Sequence, residues 1–353
     1  MRIAIVNDLV MIRECLRRII LGVSGHDIAW VARDGDEAVK KNAADPPDMI
    51  LMDLMMPIMD GVEATRRIMS ESPCPILVVT ATVKNNAAKV FEAMGHGALD
   101  AVAIPMMGDG AEAERSRYVL LKKIRIIAKL CGLPTDAASK KPVPLEPELR
   151  KHGFCPVSLV VIGSSTGGPR ALAEVLSGLP ANFNAAIVII QHVDEKFSAG
   201  LASWLDAQTP LRVQLATEGE HPKANTVYVA STNDHLIFTS ALTFSYTSEA
   251  ENTPFRPSVD VFFKSVAKYW PNRSKSNFRG GRIAILLTGM GRDGADGLAV
   301  LCQTGWHTIA QDKTSSVVYG MPKAAKEMGA AAEILSIGDI GPAILSKLKI
   351  GYC

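Results

Sequence analysis

Short apolar runs alternate with amphipathic stretches along most of the chain. In the first 130 residues the runs are "IAIV" (3–6), "IAWVA" (28–32), "DMILMD" (48–53), "PILVVT" (75–80) and "ALDAVAI" (98–104). Between them, "VMIRECLRRII", "GDEAVKKNA", "GVEATRRIM" and "NAAKVFEAMG" repeat their apolar residues at helical spacing. Buried strands alternating with helices predict a parallel, doubly wound sheet. A last helix within "AEAERSRYVLLKKIRIIAKL" closes this domain, 1–130.

The pattern then lapses. "CGLPTDAASKKPVPLEPELRKHGFCP" (131–156) is rich in proline, lysine and small residues and has no sustained period, which predicts an inter-domain linker. Alternation resumes over 157–350 with "VSLVVIG", "AAIVIIQH" (185–192), "RVQLAT" (212–217), "TVYVAS" (226–231), "RIAILLTG" (282–289) and "HTIAQD" (307–312). Helices are expected at "PRALAEVLSGL", "SAGLASWLDA" and "DGLAVLCQTG", and "DHLIFT" with "ALTFSYT" should form a hairpin at the edge of the second sheet. The fold class is therefore α/β, with two doubly wound parallel-sheet domains. The halves share no fixed-period similarity, so they are not repeats.

Composition narrows the function classes. A chain of 353 residues exceeds one compact core, and 48% hydrophobic with 21% charged residues describes a globular protein. The formal net charge of +2 and the lack of like-charge blocks argue against a nucleic-acid partner; the basic "LKKIRIIAK" reads as a solvated helix face. No apolar segment reaches membrane-spanning length and "MRIAIVND" lacks a signal-peptide layout, so a cytoplasmic protein without membrane insertion is expected. The six cysteines form no CxxC pair, which fits reduced thiols.

In open α/β sheets, ligands bind beyond the carboxyl ends of the strands. In the first domain two such ends carry acids, Asp8 after strand one and Asp53 after strand three, and Thr80 closes strand four. Two carboxylates converging there suit Mg²⁺; singly, each acid could equally cap a helix. "VND", "LMDLMMPIMDG" and "VVT" together resemble a response-regulator receiver domain, a flavodoxin-like fold. The resemblance implies Asp53 as phosphoacceptor, Asp8 and Asp53 as Mg²⁺ ligands, Thr80 as the switch hydroxyl and a sensor histidine kinase as phosphoryl donor. Two positions depart from that family: Asn7 replaces one of its paired acids, and Ile104 stands where it places a lysine.

In the second domain "VVIGSSTGGPR" stops a strand at a glycine corner. It lacks the Gly-Lys-Ser/Thr of a P-loop and the spacing of a dinucleotide fingerprint. It matches G-x-S-x-G over Gly163–Gly167, the strand-to-helix elbow that exposes a serine beside a helix N-terminus. A serine hydroxyl is a weak nucleophile and needs a base and an orienting acid. His192 ends the next strand and is the nearest candidate base, with His235 as substitute. The turn after "AILLTG" offers Asp293 and Asp296 as the acid; spacing does not choose between them, and Asp293 could instead cap the following helix.

The motifs "VVIGSSTGGP", "IIQHV", "TVYVA", "FRPSVDVFF", "ILLTGMGRDGADGL" and "VVYGMPKAA" resemble, in that order, the catalytic domain of chemotaxis-type protein-glutamate methylesterases, a Rossmann-like domain. The resemblance implies Ser165 as nucleophile, His192 as general base, Asp293 as orienting acid, and backbone N–H groups of Thr166 and Met290 in the oxyanion hole. It also implies methyl-accepting chemoreceptors as substrates, ester hydrolysis and glutamine deamidation as activities, and no cofactor for the esterase. Arg256 is a candidate for holding an acidic substrate segment, or else pairs with a local acid such as Asp260. Ser164 stands where the family usually has alanine, and Ser231-Thr232-Asn233 where it has Pro-Gly-Gly. The rival expectations are a non-catalytic signalling scaffold with a vestigial esterase site and a nucleotide-binding enzyme.

Overall fold

The computed structural model describes residues 1–80, 83–108, 110–130, 157–248, 255–271 and 280–349. The chain divides into two compact units, Met1–Ser139 and Lys140–Cys353. The linker expected at 131–156 lies outside the described residues, as do Cys131, Cys155 and Cys353. Cys15, Cys74 and Cys302 form no disulfide among the described residues.

The first unit runs β1 (Arg2–Val6), α1 (Val10–Leu21), β2 (Asp27–Ala32), α2 (Gly35–Ala44), β3 (Met49–Met52), α3 (Gly61–Glu71), β4 (Ile76–Thr80), α4 (Val83–Gly95), β5 (Asp100–Ala103) and α5 (Ala111–Leu130). Its parallel sheet has the order β2-β1-β3-β4-β5. Beyond Arg2 the central strands are buried along their length, so they read as apolar runs rather than alternations. Ile3, Ile5, Leu51, Leu77 and Val79 meet Leu16, Ile20, Leu120, Ile124 and Ile127 of α1 and α5 in one core. Asp34 and Asp60 cap α2 and α3, accepting from the N–H groups of Glu37 and Glu63.

The second unit runs β6 (Leu159–Ser164), α6 (Gly168–Ser177), β7 (Ala186–Gln191), α7 (Glu195–Asp206), β8 (Arg212–Leu215), β9 (Thr226–Val229), β10 (His235–Phe238), β11 (Phe244–Thr247), α8 (Val259–Tyr269), β12 (Arg282–Leu286), α9 (Ala295–Gln303), β13 (His307–Gln311), α10 (Met321–Glu327), β14 (Glu333–Leu335) and α11 (Ile337–Lys349). Seven strands form a parallel sheet in the order β14-β13-β12-β6-β7-β9-β8. β12, β6 and β7 are central and wholly buried, so their carboxyl ends lie side by side at one rim.

One expectation needs correcting. β10 and β11 pair with each other but do not extend the large sheet; they form a separate two-stranded antiparallel sheet. Packing explains this. Leu236, Phe238 and Phe244 are fully buried, and the Phe238 ring lies 5.6 Å from Phe262 and 5.1 Å from Trp270, at the body and C-terminal end of α8. Burying those rings against a helix satisfies the hairpin's apolar face. β14, three residues long, follows no strong apolar run and was absent from the expected elements. No described helix is long and apolar enough to cross a membrane.

Candidate active site

At the corner after β6 the chain must turn from strand to helix within a few residues. Gly167 adopts φ +77°, the left-handed region open to glycine, and α6 begins at Gly168 with Pro169 in its first turn. Ser165 precedes this turn and is largely buried, its N–H donating to Thr288 O at 3.0 Å. The neighbouring tip of β7 carries His192, whose N–H donates to Ser164 O at 3.1 Å. The elbow and the histidine therefore occupy adjacent strand ends.

Asp293 reaches the same histidine from the loop after β12, its Oδ2 lying 2.7 Å from His192 Nε2. It does not cap its own helix: Gly294 occupies that position and α9 has no side-chain cap. Instead its carboxylate faces the start of α8. The Ser258 hydroxyl donates to Oδ1 at 2.8 Å, the Val259 N–H to Oδ2 at 2.7 Å and the Asp260 N–H to Oδ1 at 3.2 Å. Burial opposes ionisation of Asp293, but the His192 ring, the Ser258 hydroxyl and the Val259 N–H outweigh it and hold the carboxyl below its ordinary range. An ionised Asp293 fixes the neutral ring's proton on Nε2. Nδ1 is then the basic nitrogen, buried and without a hydrogen-bond partner among the described residues. No described hydrogen bond joins the Ser165 hydroxyl to it. Phe255 stacks on the ring at 4.5 Å with planes 6° apart.

The remaining candidates are separated by their contacts. Asp296 pairs with Arg292 at 2.9 Å, away from the imidazole. His235 is fully buried; its Nδ1 accepts from the Ser258 N–H at 3.1 Å, and burial, with Arg256 nearby, lowers its pKa. It thus stands behind the residue that caps α8. The Thr166 and Met290 N–H groups donate to no described residue, whereas Thr166 O accepts from the Thr288 hydroxyl at 3.0 Å. Arg256, half-exposed, lies 3.8 Å from Asp234 and donates to Ser248 O at 3.1 Å. The local acid it meets is Asp234 and not Asp260, because the Asp260 carboxylate is turned to the Gly297 N–H at 2.6 Å. Burial first, and then the charge of Asp293, raise Asp260 to about 7.

Ser258 and Phe255 were absent from the sequence-derived site, and His235 entered it only as a substitute base, not as the partner of the Ser258 N–H. Ser258 had a legible signal, a serine just before an amphipathic stretch with an acid in the first turn. Phe255 gave none, and neither did the contact that His235 makes, since their partners lie far away in sequence.

In the first unit Asp53 follows β3 and is 7% exposed. The Asn7 amide donates to its Oδ2 at 2.8 Å, and the Leu54 N–H to its Oδ1 at 2.7 Å. Burial raises Asp53 to about 6, the nearby Asp8 charge adds to this, and the Leu54 and Met55 N–H groups oppose it. Thr80 is buried at the end of β4, and the Ile104 N–H donates to its carbonyl at 3.0 Å. Ile104 packs against the apolar core and supplies no charge. Among the described residues Asp53 forms no ion pair, and no three or more His, Cys, Asp or Glu converge as a metal cluster. The Asn7 amide oxygen already accepts from the Leu9 N–H at 2.8 Å, so Asp8 and Asp53 remain the donor set, which fits Mg²⁺, an ion that takes one or two carboxylates and completes its shell with water and phosphate oxygens.

Residues 160–344 match the family model described as CheB methylesterase, and residues 3–109 that described as response regulator receiver domain. A Mesorhizobium japonicum protein named protein-glutamate methylesterase/protein-glutamine glutaminase is 50% identical over 351 residues, covering 99% of each chain. A Burkholderia lata protein named protein-glutamate methylesterase/protein-glutamine glutaminase 1 is 51% identical over 351 residues, covering 99% of this chain and 100% of its own. The crystal structure of the Thermotoga maritima CheB methylesterase catalytic domain is 36% identical, covers 54% of this chain and 97% of that one, and has a TM-score of 0.49.

Proposed function

The chain belongs to the CheB methylesterase family, and on that footing we propose that it hydrolyses glutamyl methyl esters on methyl-accepting chemoreceptors. It would also deamidate receptor glutamines, since both reactions pass through a tetrahedral acyl intermediate. The observation that carries the reading is the 2.7 Å contact between His192 Nε2 and Asp293, which leaves Nδ1 free on the strand end beside the elbow.

Nδ1 takes the proton as Ser165 Oγ attacks the ester carbonyl. The oxyanion is met by the Thr166 and Met290 N–H groups at the start of α6 and after β12. His192 returns the proton to the departing methoxide, which leaves as methanol. Water then attacks the acyl-serine by the same route, restoring Ser165 and releasing the glutamate. Asp293 keeps the proton on Nε2 and stabilises the imidazolium. General-base assistance contributes on the order of 10²–10⁴ in rate, and each oxyanion donor about 3 kcal/mol. A vestigial site would have no need to keep four donors on one buried carboxylate.

The receiver unit supplies control. Asp53 accepts a phosphoryl group from a sensor histidine kinase, adding roughly −1.5 to −2 charge, and Thr80 closes on the new oxygens. Asp8 and Asp53 would hold Mg²⁺, which would supply positive charge to the phosphoryl group there. Arg256 contacts acidic side chains of the receptor segment.

The test is methanol release from a methylated receptor by the full chain and by Ser165→Ala, with and without a small-molecule phosphoryl donor. Release by the natural chain alone, enhanced by the donor, supports the reading; equal release by Ser165→Ala overturns it.

A further inference from the structure

Gln191 closes β7 with its side chain 4% exposed, and every polar atom of its amide is used. Oε1 accepts from the Ser164 hydroxyl at 2.6 Å. Nε2 donates to two carbonyls, Ser165 O at 2.9 Å and His192 O at 3.2 Å. The ladder of β6 and β7 ends where Ser164 pairs with Gln191. One backbone bond follows, from the His192 N–H to Ser164 O at 3.1 Å, and among the described residues no β6–β7 backbone bond lies beyond it. Past that bond, the Gln191 amide ties the carbonyl of residue 165 to that of residue 192. A Cβ on Gly168 would overlap Oε1, so the glycine that starts α6 makes room for it.

We propose that Gln191 is a positioning residue for the reaction, fixing the separation of the backbones that carry the Ser165 hydroxyl and the His192 imidazole. The proposal rests on the active-site reading above. An amide suits the task because it accepts and donates without charge. A glutamate would lose both N–H donors and set a second carboxylate beside the His192–Asp293 pair. In this chain Ser164 adds a third bond to the clamp, one an alanine could not make. The last residue of β13 repeats the device: Gln311, 1% exposed, accepts from the Thr288 N–H at 2.8 Å and donates to Ser315 O at 2.9 Å. Thr288 O is in turn the acceptor for the Ser165 N–H.

The experiment measures kcat and KM for methanol release by the full chain carrying Gln191→Met, Ser164→Ala or both, with thermal unfolding of each. Gln191→Met keeps the volume and removes the bonds; a displacement of about 1 Å at the reacting groups costs on the order of 10²-fold. The expected result is a kcat loss of that size with KM unchanged. Ser164→Ala should give a several-fold loss that disappears in the Gln191→Met background, because the two groups share one hydrogen bond. Unchanged kcat in folded Gln191→Met, or a loss in KM alone, overturns the proposal. If Gln191→Met is unfolded at the assay temperature, Ser164→Ala decides: a reduced kcat with an unchanged melting temperature supports the clamp, and an unchanged kcat overturns it. Failure of the active-site reading shows separately, as methanol release that survives Ser165→Ala.

Discussion

The two units place acidic side chains at the same architectural position, the carboxyl end of a parallel sheet, yet supply them differently. Asp293 sits against a helix N-terminus and a histidine and receives four hydrogen-bond donors. Asp53 is also buried, but its described donors are one side-chain amide and the N–H groups of its own loop, with no cation in an ion pair. The consequence appears in their ionisation: the surroundings pull Asp293 down and leave Asp53 raised to about 6. The first arrangement holds an ionised carboxylate that orients the imidazole and would stabilise its cation. The second leaves room for charge to arrive, which is what a phosphoacceptor needs.

Mutation should separate the two most widely at Ser165, the proposed nucleophile. Ser165→Ala is expected to lower kcat by roughly 10⁶-fold, the scale at which serine hydrolases lose their nucleophile, while Asp53→Asn removes only the response to a phosphoryl donor; methanol release with and without the donor reads both. Asp293→Asn should cost about 10⁴-fold in kcat, because an amide no longer enforces the ring tautomer. Melting curves across pH would show the lost carboxylate as well. A carboxyl whose folded pKa is depressed stabilises the fold above its unfolded value, near 4, and that contribution fades as pH falls through the folded value, so the variant's deficit should vanish in acid.

Smaller effects sharpen the receiver side. Asn7→Asp adds a carboxylate and should tighten Mg²⁺ binding, measured calorimetrically on the full chain. Ile104→Lys should increase the lifetime of phosphorylated Asp53 or its effect on turnover by supplying the absent cation. If neither change alters Mg²⁺ affinity or phosphorylation, the contrast drawn between the two acids is wrong.

The smallest expected effect is on stability. Asp260 is raised to about 7 from 3.8. The unfolded chain therefore loses this proton first, and the fold is progressively destabilised as pH rises from about 4 to about 7, with no further change above. Asp260→Asn keeps an acceptor for the Gly297 N–H and removes this penalty. Its melting temperature should exceed that of the natural chain at pH 8, and the difference should shrink toward pH 4.

The strand tips bearing Asp8, Asp53, Ser165, His192 and Asp293 were legible because each ends an apolar run at a recognisable corner. What surrounds them was less so. The cradle of Asp293 comes from residues 33 to 35 positions earlier, and the clamp on the elbow from a glutamine 26 positions beyond Ser165; no local period records such pairings. The β10–β11 hairpin was visible as a hairpin, but its packing on α8 depended on rings distant in sequence. Arg256 was visible as a cation, yet its partner was set by which acid the start of α9 had already engaged.

The central claim is tested most directly by trapping the nucleophile. The full chain is incubated with a serine-directed phosphonate and the adduct located by peptide mass mapping, alongside Asp293→Asn. The account predicts an adduct on Ser165, none on Ser164, and much slower labelling in the variant; an adduct on Ser164, or labelling indifferent to Asp293, contradicts it.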